Sequence, residues 1–184
     1  KSASSARDPH QRPVGGVVKR AMDIAVAATA ITLAAPIMLV IAMVVAAEGG
    51  PVLYAHERIG FKGRPFRCYK FRSMVTDPDA ALERHLARNP AAATEWKTNK
   101  KLKDDPRITR SGRLLRVSSL DELPQLFNII RGEMSCVGPR PVTADELPRY
   151  GHDASQYLRT RPGLTGLWQV SGRSSLSYER RVEL

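Results

Sequence analysis

The chain has 184 residues and carries 29 Lys and Arg against 18 Asp and Glu, which gives a formal net charge of +11. This length is enough for one domain with its own core, and the positive charge predicts anionic partners such as anionic lipid, nucleic acid or phosphorylated substrates. Aromatic residues make up only 6% of the sequence, too few for a stacking platform on single strands, so nucleic acid is not an expected partner. The two cysteines and four histidines are scattered and predict neither a disulfide framework nor a zinc site.

The first third of the chain divides into a polar arm and an apolar stretch. Residues 1–18 are polar and interrupted by Gly and Pro, and we expect them to form a flexible arm. From Ile24 to Ala47 the sequence is uncharged and long enough to cross the roughly 30 Å hydrocarbon core of a bilayer. A soluble helix would show a polar face, which this stretch lacks. We therefore predict a membrane-embedded region at residues 19–50 and a cytoplasmic domain at residues 51–184.

Pro36 lies in the middle of the apolar stretch, where it removes a backbone hydrogen bond and should kink or break the helix. Basic residues flank the stretch on both sides, with Lys19 and Arg20 before it and Arg58 and Lys62 after it. Because basic flanks favour the cytoplasmic side, both ends are predicted to face the cytoplasm. A helix–break–helix hairpin that enters and leaves the same leaflet satisfies both observations, and we prefer this re-entrant topology over a simple span.

The rest of the chain predicts short mixed elements. Glu48 to Pro51 is a breaker, strands are predicted at Val52–Ile59 and Phe66–Phe71, and helices are predicted from Asp77-Pro78 to Asn89-Pro90 and over Ala91–Lys101. The predicted class is α+β and mainly helical, with a short β-hairpin and interfacial helices beside the membrane segment.

A basic run leads into two adjacent acids. Between Lys97 and Arg116 there are eight basic residues and two acidic ones, and Asp121 and Glu122 follow. Such a run is often only a solvated surface. Its position also suits the recruitment of a multiply charged phosphate beside two carboxylates.

Two structural interpretations of the acidic pair are open. Ser119 and Glu122 match the S-x-x-E capping box, in which both residues only stabilise a helix start. Pro124 would then lie beyond the first turn, where its missing N–H costs about 3 kcal/mol. Pro124 fits better at the first helical position, which moves Asp121 and Glu122 to the loop–helix junction. A helix N-terminus keeps carboxylates ionised and also attracts phosphate.

The chemistry of the pair suits phosphoryl transfer. An ionised Asp121 can attack phosphorus and form an aspartyl phosphate. Glu122 can help to hold Mg2+, which usually takes one or two protein carboxylates together with substrate phosphates. Nearby arginines would also reduce the repulsion between two carboxylates and an incoming diphosphate. Two Pro- and Gly-rich loops, Val137–Pro141 and Arg161–Gly166, are further candidates for phosphate contacts.

Together these segments resemble the bacterial sugar transferase family, the monotopic phosphoglycosyl transferases that start cell-surface glycan assembly. The resemblance covers the chain from Lys19 onward and is carried by Lys19–Asp23, Tyr69–Met74, Asp105–Thr109, Ser119–Gln125, Gly138–Pro141 and Arg161–Gln169. The tract from Asn89 to Trp96, with Gly166–Gln169, is most similar to the undecaprenyl-phosphate galactose phosphotransferases that initiate exopolysaccharide synthesis.

The resemblance implies the transfer of a sugar 1-phosphate, with galactose as the leading candidate, from a UDP-sugar to undecaprenyl phosphate with release of UMP. This would be the first membrane step of exopolysaccharide synthesis. It implies that Asp121 is the nucleophile that forms a covalent phospho-sugar intermediate, and that Glu122 binds Mg2+ with Asp121 beside it. The family fold also implies a re-entrant helix at the bacterial inner membrane, with the catalytic domain on the cytoplasmic face.

The resemblance also assigns basic residues to the site. Arg116 and Arg140 match the family's phosphate-contacting arginines, and Lys70 and Arg72 are expected near the nucleotide or the lipid phosphate. In two places the chain departs from the family pattern: Ala35 stands before Pro36 where many relatives have Ser, and the chain ends at Leu184 where relatives generally continue through an aromatic-rich segment.

Two other functions remain open from the sequence. A membrane-bound phosphatase or pyrophosphatase could use the same carboxylate and metal, and would release free sugar phosphate without a lipid acceptor. A non-enzymatic basic module that binds anionic lipid would depend steeply on salt and would not require Asp121. The sequence shows no heptad pattern and predicts no oligomeric state.

Overall fold

The computed structural model describes residues 12–99, 101–171, 180 and 182. Its helices are α1 (Gly16–Ala47), α2 (Pro78–Arg88), α3 (Pro90–Asn99), α4 (Arg110–Ser118), α5 (Gln125–Arg131), α6 (Ala154–Leu158) and α7 (Leu167–Val170). Its strands are β1 (Leu53–Ile59), β2 (Pro65–Phe71), β3 (Ser135–Val137) and β4 (Gly163–Thr165), in two-stranded sheets β1–β2 and β3–β4. The prediction of a mainly helical α+β protein with a short β-hairpin is confirmed.

The helix α1 contains the predicted apolar stretch. It begins at Gly16, so the last residues of the predicted arm are helical, while residues 1–11 lie outside the described part of the chain. It ends before Gly49 and Gly50, whose φ angles of 76° and 82° stop the helix at the predicted breaker. Large apolar side chains such as Leu33 (77% exposed) and Leu39 (62%) have no protein cover. The helix is long and apolar enough to cross a membrane, and lipid would supply the cover that the protein does not.

Pro36 does not interrupt α1. Residues 16–47 are helical throughout, so the break that the sequence allowed at this proline is absent, while a kink within the helix stays a prediction. Pro36 has no N–H to donate to the carbonyl of Thr32, so the helix lacks one backbone hydrogen bond at this point. The chain divides into two compact units, and the division within α1 falls between Ala34 and Ala35, next to the proline.

The first unit contains residues 1–34, 55–69 and 124–184. Its sheet is parallel, with Ser135 opposite Gly163 and Val137 opposite Thr165. The crossover between these strands carries the 3-10 turn Leu147–Asp153 and α6, as parallel pairing requires a long connection.

Buried side chains of Ile59, Val142, Tyr150 and Tyr157 form the core of this first unit. The hydroxyl of Tyr157 donates to the carbonyl of Ile59 (2.6 Å) and accepts from the N–H of Val142 (3.3 Å). Burial raises the pKa of Tyr157, so this hydroxyl stays protonated and holds the two segments together.

The two Pro- and Gly-rich loops lie side by side in the first unit. The N–H of Gly138 donates to the carbonyl of Thr165 (3.0 Å), and that of Gly163 donates to the carbonyl of Pro139 (2.9 Å). A Cβ atom on Gly138 would collide with the carbonyl of Arg161. Glycine is therefore required here because two backbones approach closely.

The second unit contains residues 35–54 and 70–123. Its core joins Ile41 and Val45 of α1, Phe71 of β2 and Leu115 of α4. The predicted helix start at Asp77 is confirmed, because its carboxylate accepts the N–H of Ala80 (3.3 Å) in front of α2. The predicted second helix is confirmed as α3.

A glycine brings α4 against the end of β2 in this unit. A Cβ atom on Gly112 would collide with the carbonyl of Ser73, so the helix backbone touches the strand extension directly. The same carbonyl accepts the N–H of Thr109, whose hydroxyl caps α4 by accepting the N–H of Gly112 (2.9 Å). This contact fixes the position of the α4 side chains.

We predict that Gly112→Ala destabilises the protein, because backbone atoms rather than a flexible side chain block the added methyl group. The expected decrease in Tm is about 5 °C or more, measured by thermal unfolding of the detergent-solubilised chain. Arg113→Ala, at the next and exposed position of α4, is the control and should change stability by less than about 0.5 kcal/mol. Equal Tm values for the two variants would contradict the close packing.

Candidate active site

The acidic pair lies in a 3-10 turn at Leu120–Glu122, directly after α4. Ser119 ends α4 with φ 60° and ψ 16°, a left-handed conformation that is costly for a residue with a side chain. Its hydroxyl makes no capping bond to the turn, so the capping-box interpretation is wrong. Pro124 is the N-cap of α5, one residue before the predicted position. The acids therefore occupy the junction between two helices, as the favoured interpretation required.

Asp121 is buried, with 7% of its surface exposed. Burial is the largest influence on its pKa and raises it, because a carboxylate loses hydration in a low-dielectric environment. The charges of Lys70 and Arg116 lower the pKa and that of Glu122 raises it, but the net direction is upward. The sequence analysis expected a helix N-terminus to favour the ionised carboxylate. Burial acts against the ionised form of Asp121, and two nearby cations favour it.

Lys70, on β2, provides the stronger of these cations. Its ammonium donates to the carboxylate of Glu122 over 2.6 Å, and about one third of each side chain is exposed. At such exposure the ion pair contributes only about 0–1 kcal/mol to stability. The pair also keeps the positive charge of Lys70 near the buried carboxyl of Asp121, and this charge lowers the pKa of Asp121.

Arg116 is held by a residue that the sequence analysis did not single out. Its Nε donates to the hydroxyl of Ser73 over 2.8 Å, and Ser73 is buried. The side chain of Arg116 makes no other hydrogen bond within the described part of the chain, so its two terminal nitrogens remain available. Ser73 lies inside the Tyr69–Met74 segment that carried the family resemblance. Its hydroxyl follows the basic residues Lys70 and Arg72, and this was the feature of the sequence that could have identified it.

The structure places Arg72 and Arg140 differently. Arg72 is buried, and its Nη2 donates to the carbonyl of Val45 (3.1 Å) near the end of α1. Its Nε and Nη1 have no hydrogen-bond partner among the described residues. Arg140 belongs to the first unit, where its Nη1 donates to Glu146 (3.0 Å). Arg58 binds the same carboxylate (3.2 Å), so Glu146 is shared by two guanidinium groups.

Four of the six predicted site residues thus occur together in the second unit: Asp121, Glu122, Lys70 and Arg116. They combine a buried carboxyl, a half-buried carboxylate and two cations. Such a group can present a carboxylate oxygen to phosphorus while cations offset the charge of an incoming phosphate.

The sequence matches the bacterial sugar transferase family over residues 14–184. This match covers nearly the whole chain, and the chain belongs to the bacterial sugar transferase family. The resemblance identified from the sequence motifs is confirmed, and so is the prediction that the chain is an enzyme.

Individual relatives are similar over most of this chain. The exopolysaccharide production protein ExoY of Sinorhizobium fredii is 54% identical over 172 residues, which are 93% of this chain and 76% of that protein. The undecaprenyl-phosphate galactose phosphotransferase of Salmonella typhimurium is 50% identical over 165 residues, or 90% of this chain. The UDP-galactose-lipid carrier transferase of Erwinia amylovora is 52% identical over a stretch of the same length. The chain spans 35% of the length of each of these last two proteins.

We predict that Lys70→Met raises the pKa of Asp121 further. The substitution removes the cation that lowers this pKa most, and it releases Glu122, whose charge raises the pKa. The measurement is a carboxyl 13C NMR titration of Asp-labelled protein, with the signal assigned by its loss in Asp121→Asn.

The control for this titration is Lys101→Met, which removes an exposed lysine and should leave the Asp121 titration unchanged. An Asp121 signal that titrates at the same or a lower pH in Lys70→Met would show that Lys70 does not support the ionised form.

Proposed function

We propose that this chain transfers galactose 1-phosphate from UDP-galactose to undecaprenyl phosphate, with release of UMP, as the first membrane step of exopolysaccharide synthesis. The observation that carries the proposal is the buried carboxyl of Asp121 between Lys70 and Arg116, in a chain of the bacterial sugar transferase family. The names of the relatives at 50–54% identity support the galactosyl donor, the lipid acceptor and the exopolysaccharide pathway.

The proposed mechanism is a double displacement at Asp121. A carboxylate oxygen bonds to the phosphorus that carries the sugar, and the bond from that phosphorus to the UMP oxygen breaks, with the electron pair leaving on UMP. The resulting acyl phosphate is reactive, and a phosphate oxygen of undecaprenyl phosphate displaces the aspartate. The products are UMP and undecaprenyl-diphosphate-sugar, and the carboxylate is regenerated.

The cations have separate roles in this scheme. The charge of Lys70 lowers the pKa of Asp121 and so favours the attacking carboxylate over the neutral acid. Arg116 is anchored by its Nε alone, which leaves its Nη groups free for bidentate contact with a phosphate. We also propose phosphate contacts for Arg140 and, near the nucleotide or lipid phosphate, for Arg72.

The two adjacent carboxylates fit Mg2+. In the described residues there is no group of three or more His, Cys, Asp or Glu that could enclose a metal, which agrees with an ion held mainly by substrate phosphates. Lys70 occupies Oε1 of Glu122, whereas Oε2 makes no hydrogen bond in the described part of the chain. We propose that Glu122 and Asp121 hold the ion, which would neutralise charge on the diphosphate of the substrate.

We propose that α1 enters and leaves the cytoplasmic leaflet of the bacterial inner membrane, with the rest of the chain in the cytoplasm. The basic residues on both sides of α1 and the missing hydrogen bond at Pro36 support this topology. The alternative is a continuous span by the apolar part of the helix. At 1.5 Å per residue, its 24 residues would measure about 36 Å, enough to cross with a tilt.

We predict that Asp121→Asn abolishes both turnover and the covalent intermediate. An amide cannot act as the anionic nucleophile, so UMP release from UDP-galactose should fall by about a thousand-fold or more. The measurement is a burst of UMP without acceptor, with radiolabelled galactose retained on the denatured protein. Asp104→Asn, at a highly exposed acid, is the control and should label normally.

The same assay separates the other functions. Release of free galactose 1-phosphate without undecaprenyl phosphate would favour a phosphatase, and undiminished turnover in Asp121→Asn would refute the mechanism. Absence of UMP release with every UDP-sugar, galactose and glucose included, would favour a lipid-binding module.

We predict that both ends of α1 face the cytoplasm. Single cysteines at Val14 and Leu53, in a chain whose own cysteines are replaced by Ala, should react with an impermeant maleimide in inside-out vesicles only. Leu33→Cys, in the apolar stretch, is the control and should be protected in both orientations. Labelling of the two ends from opposite sides would establish a span instead.

A further inference from the structure

A cavity of about 170 Å³ lies at the beginning of α1, within the first unit. Its walls are the first turns of α1, the segment Pro13–Val14 before it, the loop at Gly138 and the pair Thr160–Arg161. The cavity therefore opens at the polar end of the helix, just before the apolar stretch begins at Ile24. None of the six residues assigned to the candidate active site lines it, but its wall includes Arg161 and parts of the two Pro- and Gly-rich loops that the sequence offered for phosphate contacts.

Two guanidinium groups converge at this cavity. Arg20 and Arg161 both line it. Their Nη2 atoms also lie 3.3 Å and 3.9 Å from the Cβ position of Gly132, a residue outside the cavity wall, so the two guanidinium groups are neighbours at the end of α5. The charge of Arg20 lowers the pKa of Arg161, and two like charges that act on each other favour an anion nearby.

The contacts of the arginines with α5 use only part of their hydrogen-bonding capacity. Arg20 donates to the carbonyls of Ile129 (2.6 Å) and Ile130 (2.8 Å), and Arg161 donates through Nε to that of Gly132 (2.7 Å). These bonds satisfy the end of α5. A guanidinium has five N–H donors, and the terminal nitrogens of Arg161 make no hydrogen bond within the described residues.

The carboxylate in the wall offsets only part of the positive charge. Asp23 accepts from the hydroxyl of Ser135 (2.8 Å) and the N–H of Cys136 (3.0 Å), and it forms an ion pair with Lys19 (3.3 Å). Its charge also acts on Arg161 and raises the pKa of that guanidinium. Burial and the neighbouring charge of Arg20 lower the same pKa, and the net direction is downward.

We propose that this cavity binds a phosphate group through Arg20 and Arg161. Paired guanidinium groups contact phosphate oxygens bidentately, and the first turn of α1, which carries no acidic residue, contributes to the same wall. Because α1 continues into the apolar stretch, a lipid phosphate can reach the site as well as a phosphate from solution. The site does not depend on the proposed transfer reaction, since it uses neither Asp121 nor Glu122.

The test is calorimetric titration of inorganic phosphate into the full chain in nanodiscs of neutral phosphatidylcholine, without Mg2+. Arg161→Gln should weaken binding by about ten- to a hundred-fold, because it removes charge-assisted hydrogen bonds. Arg159→Gln, at an exposed arginine two residues earlier, is the control and should bind as the unmodified chain does.

A second variant avoids the contacts that Arg161 makes with α5. Val14→Glu adds a negative charge at the exposed rim and should weaken phosphate binding, whereas Val17→Glu, exposed but absent from the wall, should have a smaller effect. Phosphate affinity that is the same in Arg161→Gln and Val14→Glu as in their controls would overturn the proposal.

The source of the phosphate is found by competition. Discs that contain undecaprenyl phosphate abolish the titration if the site takes the acceptor lipid, and discs that contain phosphatidylglycerol abolish it if the site takes a membrane phospholipid. If neither lipid competes and Arg161→Gln still loses binding, the ligand is a phosphate from solution. Each of these results supports a phosphate site in this cavity and identifies the source of its ligand.

Discussion

In the proposed mechanism, Asp121 must carry a charge in a place where the protein has removed most of its water. Burial raises the pKa of this carboxyl above its ordinary value of 3.8, and only the charges of Lys70 and Arg116 act in the opposite direction among the cations that influence it. Below pH 3.8 the carboxyl is neutral in both the folded and unfolded states, so the raised pKa has no effect on stability. Above the folded-state pKa it is ionised in both, and the folded state then bears the cost of the buried charge. The same poorly hydrated carboxylate is a better nucleophile than a solvated one, which is the usual conflict between stability and activity at a reactive site.

The backbone around Asp121 is built to maintain this arrangement. Ser119 adopts a left-handed conformation that ends α4 and turns the chain, so that the next residues form a tight 3-10 turn instead of continuing the α-helix. Gly112 lets α4 touch the carbonyl of Ser73, and the hydroxyl of the same serine holds Arg116. Packing of a glycine, strain at one residue and a single hydrogen bond thus determine where the positive charge lies. Electrostatics at the carboxyl depends on steric contacts several residues away.

The sequence predicted those features that depend on local chemistry. The strands before and after the Gly60–Pro65 connection, the Asp77 cap and the Gly49–Gly50 stop follow from turn and capping residues, and all are present in the structure. Features that depend on packing could not be predicted in this way. The burial of Asp121 arises from neighbours brought together by folding, and sequence spacing placed the acid beside a helix but not inside a core. The continuity of α1 through Pro36 could not be predicted from local chemistry either. The proline removes one backbone hydrogen bond, whereas the other hydrogen bonds within this 32-residue helix can still form.

The arginines of this protein separate into groups by what holds them. Arg107, Arg58 and Arg140 bind the carboxylates of Asp105 or Glu146, and part of their charge is neutralised within the protein. Arg116 and Arg161 are held differently, each by its Nε, to an uncharged hydroxyl in one case and an uncharged carbonyl in the other. A hydrogen bond at Nε fixes the plane of the guanidinium and leaves both Nη groups unused. These two groups form a fork whose geometry matches two oxygens of a phosphate. A neutral anchor also means that the hydrogen bond at Nε does not itself pair the guanidinium with a carboxylate. The excess of basic residues in the sequence is therefore not one uniform surface, because these two arginines, in different compact units, are anchored in a way that suits the phosphate contacts proposed for them.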